Sequence, residues 1–232
     1  MTDSKTVFTK ERAQTYDKRV RQAIAGYEVL HELSEVVLSN ELPEKASLLI
    51  VGAGTGVELL AYGAKHPKWI FTAQDPAETM LSIAKEKVEA AQLTNRVTFH
   101  AKALDEIPGD ELFDAGTLLL VLHFLTDDDQ RVELLSSILN LLKPGAPLLL
   151  ANLFGDTEST RYKKMMTLSK AWAIRKGMDP AEAETHFSPT RPDLGVISEE
   201  RLKGLLRTAG YIDVQRYFQG VAFGAWIARS PR

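Results

Sequence analysis

The 232-residue sequence contains no cysteine. That excludes a disulfide framework, a thiolate nucleophile and Cys-ligated zinc or iron–sulfur centres. It also lacks a long apolar run: the longest, Leu118 to Leu122, falls far short of the roughly 18 residues a membrane span requires. Its first residues, MTDSKTVFTKERAQ, have no apolar stretch of the kind a secretory signal needs. These absences set the expectation of a soluble, cytoplasmic protein. There is no Gly-x-Ser-x-Gly elbow, and no His/Asp/Glu spacing reads as a metal site, so no metal is expected. Nor does one sign of charge dominate. The 28 basic and 31 acidic residues leave a net charge of −3, which argues against wholesale nucleic-acid binding.

The 44% hydrophobic and 25% charged content is that of an ordinary globular chain. A chain of this size buries about 70% of its unfolded surface and needs no staple. Its charge is unevenly placed. Residues 1–26, with Lys5, Lys10, Arg12, Lys18, Arg19 and Arg21, carry +3, and residues 155–178, with Arg161, Lys163, Lys164, Lys170, Arg175 and Lys176, carry +4. Such clusters are solvated faces or attractors of an anionic substrate.

Periodicity orders the chain. The first forty residues read as helical, with Val29, Leu30, Leu33, Val36 and Val37 at helical spacing. Short apolar runs at Ser47–Val51, Trp69–Ala73, Arg96–His100, Phe113–Leu122 and Ala146–Leu153 read as buried strands. Between them lie helical stretches from Val57 to Lys65, after Asp75-Pro76 with Met80, Ala84, Val88 and Ala91 on one face, and from Asp127 to Leu142. Pro76 suits a first helical turn. Strands alternating with helices predict an α/β fold: a doubly wound, mostly parallel sheet. Residues 155–178 read as a further helix with Met165, Met166 and Trp172 along one side, and residues 179–195, with Pro180, Pro189 and Pro192, as a loop. A helix from Ser198 to Ala209 and strands Tyr211–Phe218 and Val221–Arg229, close enough for a hairpin, end the chain. One domain is expected: a helical lid (1–42), a core (43–154), a helical insertion (155–197) and a closing helix and hairpin (198–232). Phe223 and Trp226 are taken as an apolar sheet edge that would favour a homodimer.

Open parallel sheets bind ligands at the carboxyl ends of their strands. There the first strand runs into Gly52-Ala53-Gly54-Thr55-Gly56, and Asp75 ends the second strand 19 residues after Gly56. Glycines let backbone amides approach a ligand, and a carboxylate at that place accepts both hydroxyls of a ribose. The pair points to a nucleoside ligand. The dinucleotide pattern Gly-x-Gly-x-x-Gly is not met, because position 57 is Val57. That weighs against a nicotinamide-dependent oxidoreductase.

The stretches LLIVGAGTGVELL (48–60), FTAQDPAETMLSIAKEK (71–87), VTFHAKALDEIP (97–108), LFDAGTLLLVLHFL (112–125) and LLKPGAPLLLANLF (141–154) resemble the class I S-adenosylmethionine (SAM) methyltransferases, in that family's order. The resemblance implies a seven-stranded Rossmann-like sheet with its last strand antiparallel, and SAM as cofactor, with S-adenosylhomocysteine (SAH) as product. It assigns the methionine part to Gly52, Ala53, Gly54 and Gly56, with the Gly52 or Leu119 carbonyl taking the amino group. The ribose falls to Asp75, and the adenine to Pro76, Met80, Ala103 and Leu104. Two positions depart from the family's pattern: Ile50 stands where many members have an acid, and Ala103 where many have an Asp. The end segments VRQAIAGYEVL (20–30) and AGYIDVQRYFQGVAFGAWIA (209–228) resemble the carboxy-SAM-dependent tRNA wobble-uridine methyltransferases. That likeness places Tyr27 against the cofactor. That family's arginine for an extra carboxylate has no counterpart: Phe187 takes its place, with His186 adjacent and Arg191 nearby. Ordinary SAM and a different substrate are therefore expected.

The expected activity is methyl transfer to a small molecule, with the basic helices suited to attract an anionic one. A tRNA substrate and a non-catalytic SAM-binding scaffold are the alternatives. His123, after the fourth strand, is the candidate acid or base, since imidazole titrates near neutrality; the other reading is a capping or packing histidine. Tyr16, His186 and Arg191 are candidate lid residues over the substrate.

Overall fold

The computed structural model describes residues 10–107, 112–188, 191 and 194–232. Lys5, Pro108, Pro189 and Pro192, named above, lie outside them. The first strand, β1 (Ser47–Val51), is the apolar run SLLIV, and its last four residues are buried. β2 (Ile70–Gln74) and β4 (Ala115–Leu119) flank it in parallel, β3 (Val97–His100) extends the sheet beyond β2, and β5 (Pro147–Leu153) lies beyond β4. β7 (Phe223–Arg229) pairs antiparallel with β5, from Pro147↔Arg229 to Leu153↔Phe223, and β6 (Ile212–Gly220) closes that side. The order is therefore β3-β2-β1-β4-β5-β7-β6, seven strands with the final hairpin reversed. All residues of β4 and β5 are buried, as strands covered on both faces must be.

Helices α2 (Tyr27–Glu41), α3 (Val57–Lys65) and α4 (Glu78–Ala90) cover one face through Leu30, Leu59, Tyr62, Leu81 and Val88. α5 (Asp128–Leu139) and α8 (Glu199–Thr208) cover the other through Leu135, Ile138, Leu202 and Leu206. Each has a local start signal: the Asp127 side chain accepts from the Gln130 amide, and the Ser198 hydroxyl from the Arg201 amide. α1 (Lys10–Ala23) precedes the sheet, and α6 (Thr160–Arg175) follows β5. Among the described residues, no helix is long and apolar enough to cross a membrane.

Four expectations are corrected. The loop expected over 179–195 contains a helix, α7 (Pro180–His186): Asp179 caps it by accepting from Ala181 and Glu182, and Pro180 takes the first turn, where its missing N–H costs nothing. Pro76 is exposed and lies ahead of α4, which begins at Glu78. β7 is an interior strand, so Trp226 and Phe223 are buried and the edge argument for a homodimer falls away; the edge strand is β6. Finally, Val29, Leu33 and Val36 of α2 face outward, while the inner face carries Leu30, His31, Ser34, Glu35 and Leu38. That face covers a polar interior, which the apolar stripe did not reveal.

Candidate functional site

The strand order switches sides at β1, with β2 and β3 on one side and β4 and β5 on the other, so a crevice opens at the carboxyl ends of β1 and β4. The glycine turn fills its floor. Gly52, Gly54 and Gly56 all have left-handed φ, at 69°, 53° and 81°, and Gly56 caps α3. At Gly52 a side chain is doubly excluded, because a Cβ would collide with Val121. Asp75 leaves β2 toward this turn. The Gly54 N–H donates to its Oδ2 at 2.8 Å, and the Ala77 N–H donates to its Oδ1 at 2.8 Å. Burial pushes this carboxyl above the ordinary aspartate value, against the pull of the two amides. A carboxylate offers about four lone-pair sites, so two remain for a diol.

Beyond the turn lies a cavity of about 30 Å³, bounded by Gly52 and Leu119, roofed by Tyr16 of α1 and Tyr27 of α2, and closed by His31 and Glu58. Its polar content is unusual. Both ring nitrogens of His31 and Oε1 of Glu58 are buried without a hydrogen-bond partner among the described residues. Burial drives the His31 value down to about 4, so the ring is neutral, and it meets Tyr27 edge-on at 4.6 Å. Burial raises the Tyr16 and Tyr27 phenols far above their usual range, so both keep their protons. A larger cavity of about 550 Å³ opens at the amino ends of β1, β2 and β3, beside Ser47, Ile70 and Thr98. It is remote from the glycine turn and is set aside as the cofactor site on that ground.

α1 is strapped across the site. Thr55 Oγ1 donates to Asp17 Oδ1 at 2.5 Å, and Lys87 Nζ meets Asp17 Oδ2 at 2.5 Å. Ala13 packs on Ala77 and Met80. The other end of α1 reaches the insertion: Arg19 pairs with Glu182 at 3.0 Å, and Gln22 donates to the Lys176 carbonyl at 3.1 Å. The two added helical pieces thus meet through α1.

The structure brings together Tyr16, Tyr27, Gly52, Ala53, Gly54 and Leu119 around the cavity, with Asp75, Gly56 and Met80 immediately beside them. Ala103 is exposed ahead of a short 3-10 turn, and Leu104 is buried in the core of the opposite face; neither lines the cavity. His123 is buried in a 3-10 turn after β4, its Nδ1 3.0 Å from Asn152 Oδ1 and its ring between Phe124 and Phe223. It does not line the cavity. His186 ends α7, and Arg191 donates to its carbonyl at 3.3 Å, also away from the cavity. His31 and Glu58 are the residues sequence reasoning missed. The one available signal was the acid two places after the glycine turn, which reads equally well as a favourable first-turn charge.

A family model described as a methyltransferase domain matches residues 49–148. Over 228 residues the chain is 24% identical to a carboxy-S-adenosyl-L-methionine synthase of Campylobacter hominis, covering 96% of this chain and 93% of that one. It is 27% identical over 126 residues to a 3-hydroxy-5-methyl-1-naphthoate 3-O-methyltransferase of Streptomyces sahachiroi, covering 54% of this chain and 36% of that one. The fold matches the SAH-bound structure of CalO1, a methyltransferase in calicheamicin biosynthesis, with a TM-score of 0.58 at 18% identity, over 89% of this chain and 56% of that one. With its strand order, glycine turn and strand-two carboxylate in place, the chain has the fold of the class I S-adenosylmethionine-dependent methyltransferases and carries a methyltransferase domain over residues 49–148.

Proposed function

We propose that this enzyme transfers the methyl group of SAM to a small-molecule acceptor, and that the acceptor atom is a hydroxyl oxygen. The observation that carries the cofactor assignment is the bond between Asp75 and the Gly54 amide, which ties the strand-two acid to the turn. The residues fit the group. Asp75 has acceptor sites for a ribose, the glycine turn admits close backbone approach, and the cavity beyond it offers unpartnered polar atoms. The naphthoate O-methyltransferase relative supports a hydroxyl acceptor. Paired charge supports a small molecule over RNA: Arg19, Arg21 and Lys170 are engaged by Glu182, Glu28 and Glu184. Bound SAM supplies an activated methyl on a sulfonium, so the protein's part is alignment, exclusion of water and proton removal.

His123 is proposed as the residue that receives the proton. Asn152 Oδ1 can only accept, so the proton of the ring sits on Nδ1 and Nε2 is the basic nitrogen. The whole-chain similarity to carboxy-SAM synthases favours a second reading, in which the product is a modified cofactor. Among the described residues, the cavity's lining holds no arginine or lysine for an added carboxylate. Incubation with methyl-labelled SAM and a panel of phenols and hydroxy acids, read by mass spectrometry, separates the two. Label in an acceptor with SAH released supports methyl transfer, whereas a heavier adenosyl product with no labelled acceptor refutes it.

A further inference from the structure

The cavity under α1 gathers buried polar groups for which neither the glycine turn nor Asp75 accounts. Glu58, the second residue of α3, is buried, and its Oε1 finds no partner among the described residues. Beside it stands Thr117 of β4, whose hydroxyl lies within reach of the carboxyl. The groups facing this carboxyl are Tyr16 from α1, Tyr27 from α2, Tyr62 from its own helix and Tyr217 from β6, with neutral His31 across the cavity and Asp75 beyond Tyr16. Among the described residues, none of these groups is a cation, and two cations of α1 and α4 are engaged elsewhere: Lys87 holds Asp17, and Arg21 pairs with Glu28 and lies over the Tyr27 ring. A buried carboxyl left with an open acceptor and no cation calls for one from a ligand.

Position selects which one. Asp75 lies on the β2 side of the glycine turn, and Glu58 on the β4 side with Leu119 and Leu120. A nucleoside held at Asp75 with its 5′ substituent lying across the turn would bring that substituent to Glu58. Resting on the SAM assignment, we infer that Glu58 accepts a hydrogen bond from the ammonium of the cofactor's amino-acid end, a positioning role that makes the site select adenosyl compounds bearing that ammonium. Burial raises the Glu58 carboxyl to about 7, the Thr117 hydroxyl pulling the other way. Below that pH the carboxyl holds a proton that must leave when an ammonium arrives.

Two probes isolate the contact: SAH, which has the amino-acid end, and 5′-methylthioadenosine, which shares the nucleoside and lacks that end. Titration calorimetry of the full chain should show SAH affinity falling about 25-fold from pH 7.5 to pH 5.5, with most of one proton released per SAH bound at pH 6.5, read from two buffers of different ionisation enthalpy. Methylthioadenosine should show neither effect beyond what Asp75 contributes to both ligands. The isosteric Glu58→Gln should weaken SAH by about 10- to 100-fold at pH 7.5 while leaving methylthioadenosine within threefold. An unchanged ratio of the two affinities in E58Q, or no proton release with SAH in the unaltered protein, overturns the role of Glu58 and leaves the cofactor assignment standing. If neither ligand binds the unaltered protein, both fall. The calorimetry needs no variant, so it decides even if E58Q fails to fold.

Discussion

Asp75 has two roles in this structure, and substitution separates them. Its carboxylate braces the crevice by accepting from the Gly54 and Ala77 amides, each at 2.8 Å, while keeping acceptor sites for a ribose. Asp75→Ala leaves both amides without a partner. A buried amide so orphaned costs about 1–3 kcal/mol, but water can reach the half-buried Gly54, so the sum is about 2–4 kcal/mol. For a chain of this length, that lowers Tm by roughly 4–16 °C. Ligand binding should suffer separately. Two ribose hydroxyls donating to a charged acceptor are worth at least about 3 kcal/mol together, or roughly 150-fold in Kd. Differential scanning fluorimetry gives the first number, and calorimetric titration with SAH at a temperature where both proteins are folded gives the second. Asp75→Asn should lie between, since its one oxygen can satisfy one amide while its NH2 faces the other. If D75A loses Tm but binds SAH within threefold of the unaltered protein, Asp75 is a brace alone, and the ribose contact is refuted.

Glu58 makes stability pH-dependent in an uncommon direction. Its folded value of about 7 lies above the ordinary 4.5, so its contribution is fully present below pH 4.5 and is lost as pH rises through 7. Urea unfolding should find about 2–3 kcal/mol of stability that disappears between pH 5 and pH 8 and is absent from E58Q; equal pH profiles in the two proteins would contradict this. Gly52→Ala should destabilise by about 2–3 kcal/mol, roughly 1 kcal/mol from the left-handed φ and the rest from the collision with Val121. G52A/V121A should then recover the collision share in Tm, and no recovery would show that the clash is not the cause. Asp17→Ala releases α1 from Thr55 and Lys87; these groups are about a third exposed, so the latch is worth roughly 1 kcal/mol. Limited trypsin cleavage around Lys18–Arg21 should accelerate about fivefold, and an unchanged rate would place the hold on α1 elsewhere.

The sheet was legible because each interior strand is a short apolar run ended by a turn residue; SLLIV before Gly52 gives β1 residue for residue. The cofactor half of the site was legible for the same reason, since its glycines and Asp75 sit at positions set by the strands. What escaped depended on contacts distant in sequence. α7 was hidden because proline marks a loop and a helix start alike, and only the capping by Asp179 distinguishes them. The inner face of α2 was misjudged because apolar spacing ranks Val29 and Leu33 above His31 and Ser34, whereas burial here is dictated by a polar interior: Ser34 bonds Tyr217 at 2.7 Å across the β6 side. Glu58 is the clearest case. Ile50 is fully buried and lies in register with Thr117, and Glu58 approaches the same Thr117 from α3. The sequence shows an acid missing from the strand, while only the fold shows one arriving from the helix.

α1 ties the glycine turn to the insertion that follows β5. A cavity of about 30 Å³ holds roughly one water, so it admits an amino-acid tail only if its walls, α1 among them, move. Lifting α1 breaks Asp17 from Thr55 in the glycine turn, and it also parts Arg19 from Glu182 and Gln22 from the Lys176 carbonyl in the insertion. Movement of α1 therefore disturbs its contacts at the glycine turn and its contacts with α6 and α7 together. In-line methyl transfer needs both reactants aligned and water excluded at once. In the proposed reaction, a strap anchored to the glycine turn at Asp17 and to the insertion at Arg19 and Gln22 would link those two enclosures.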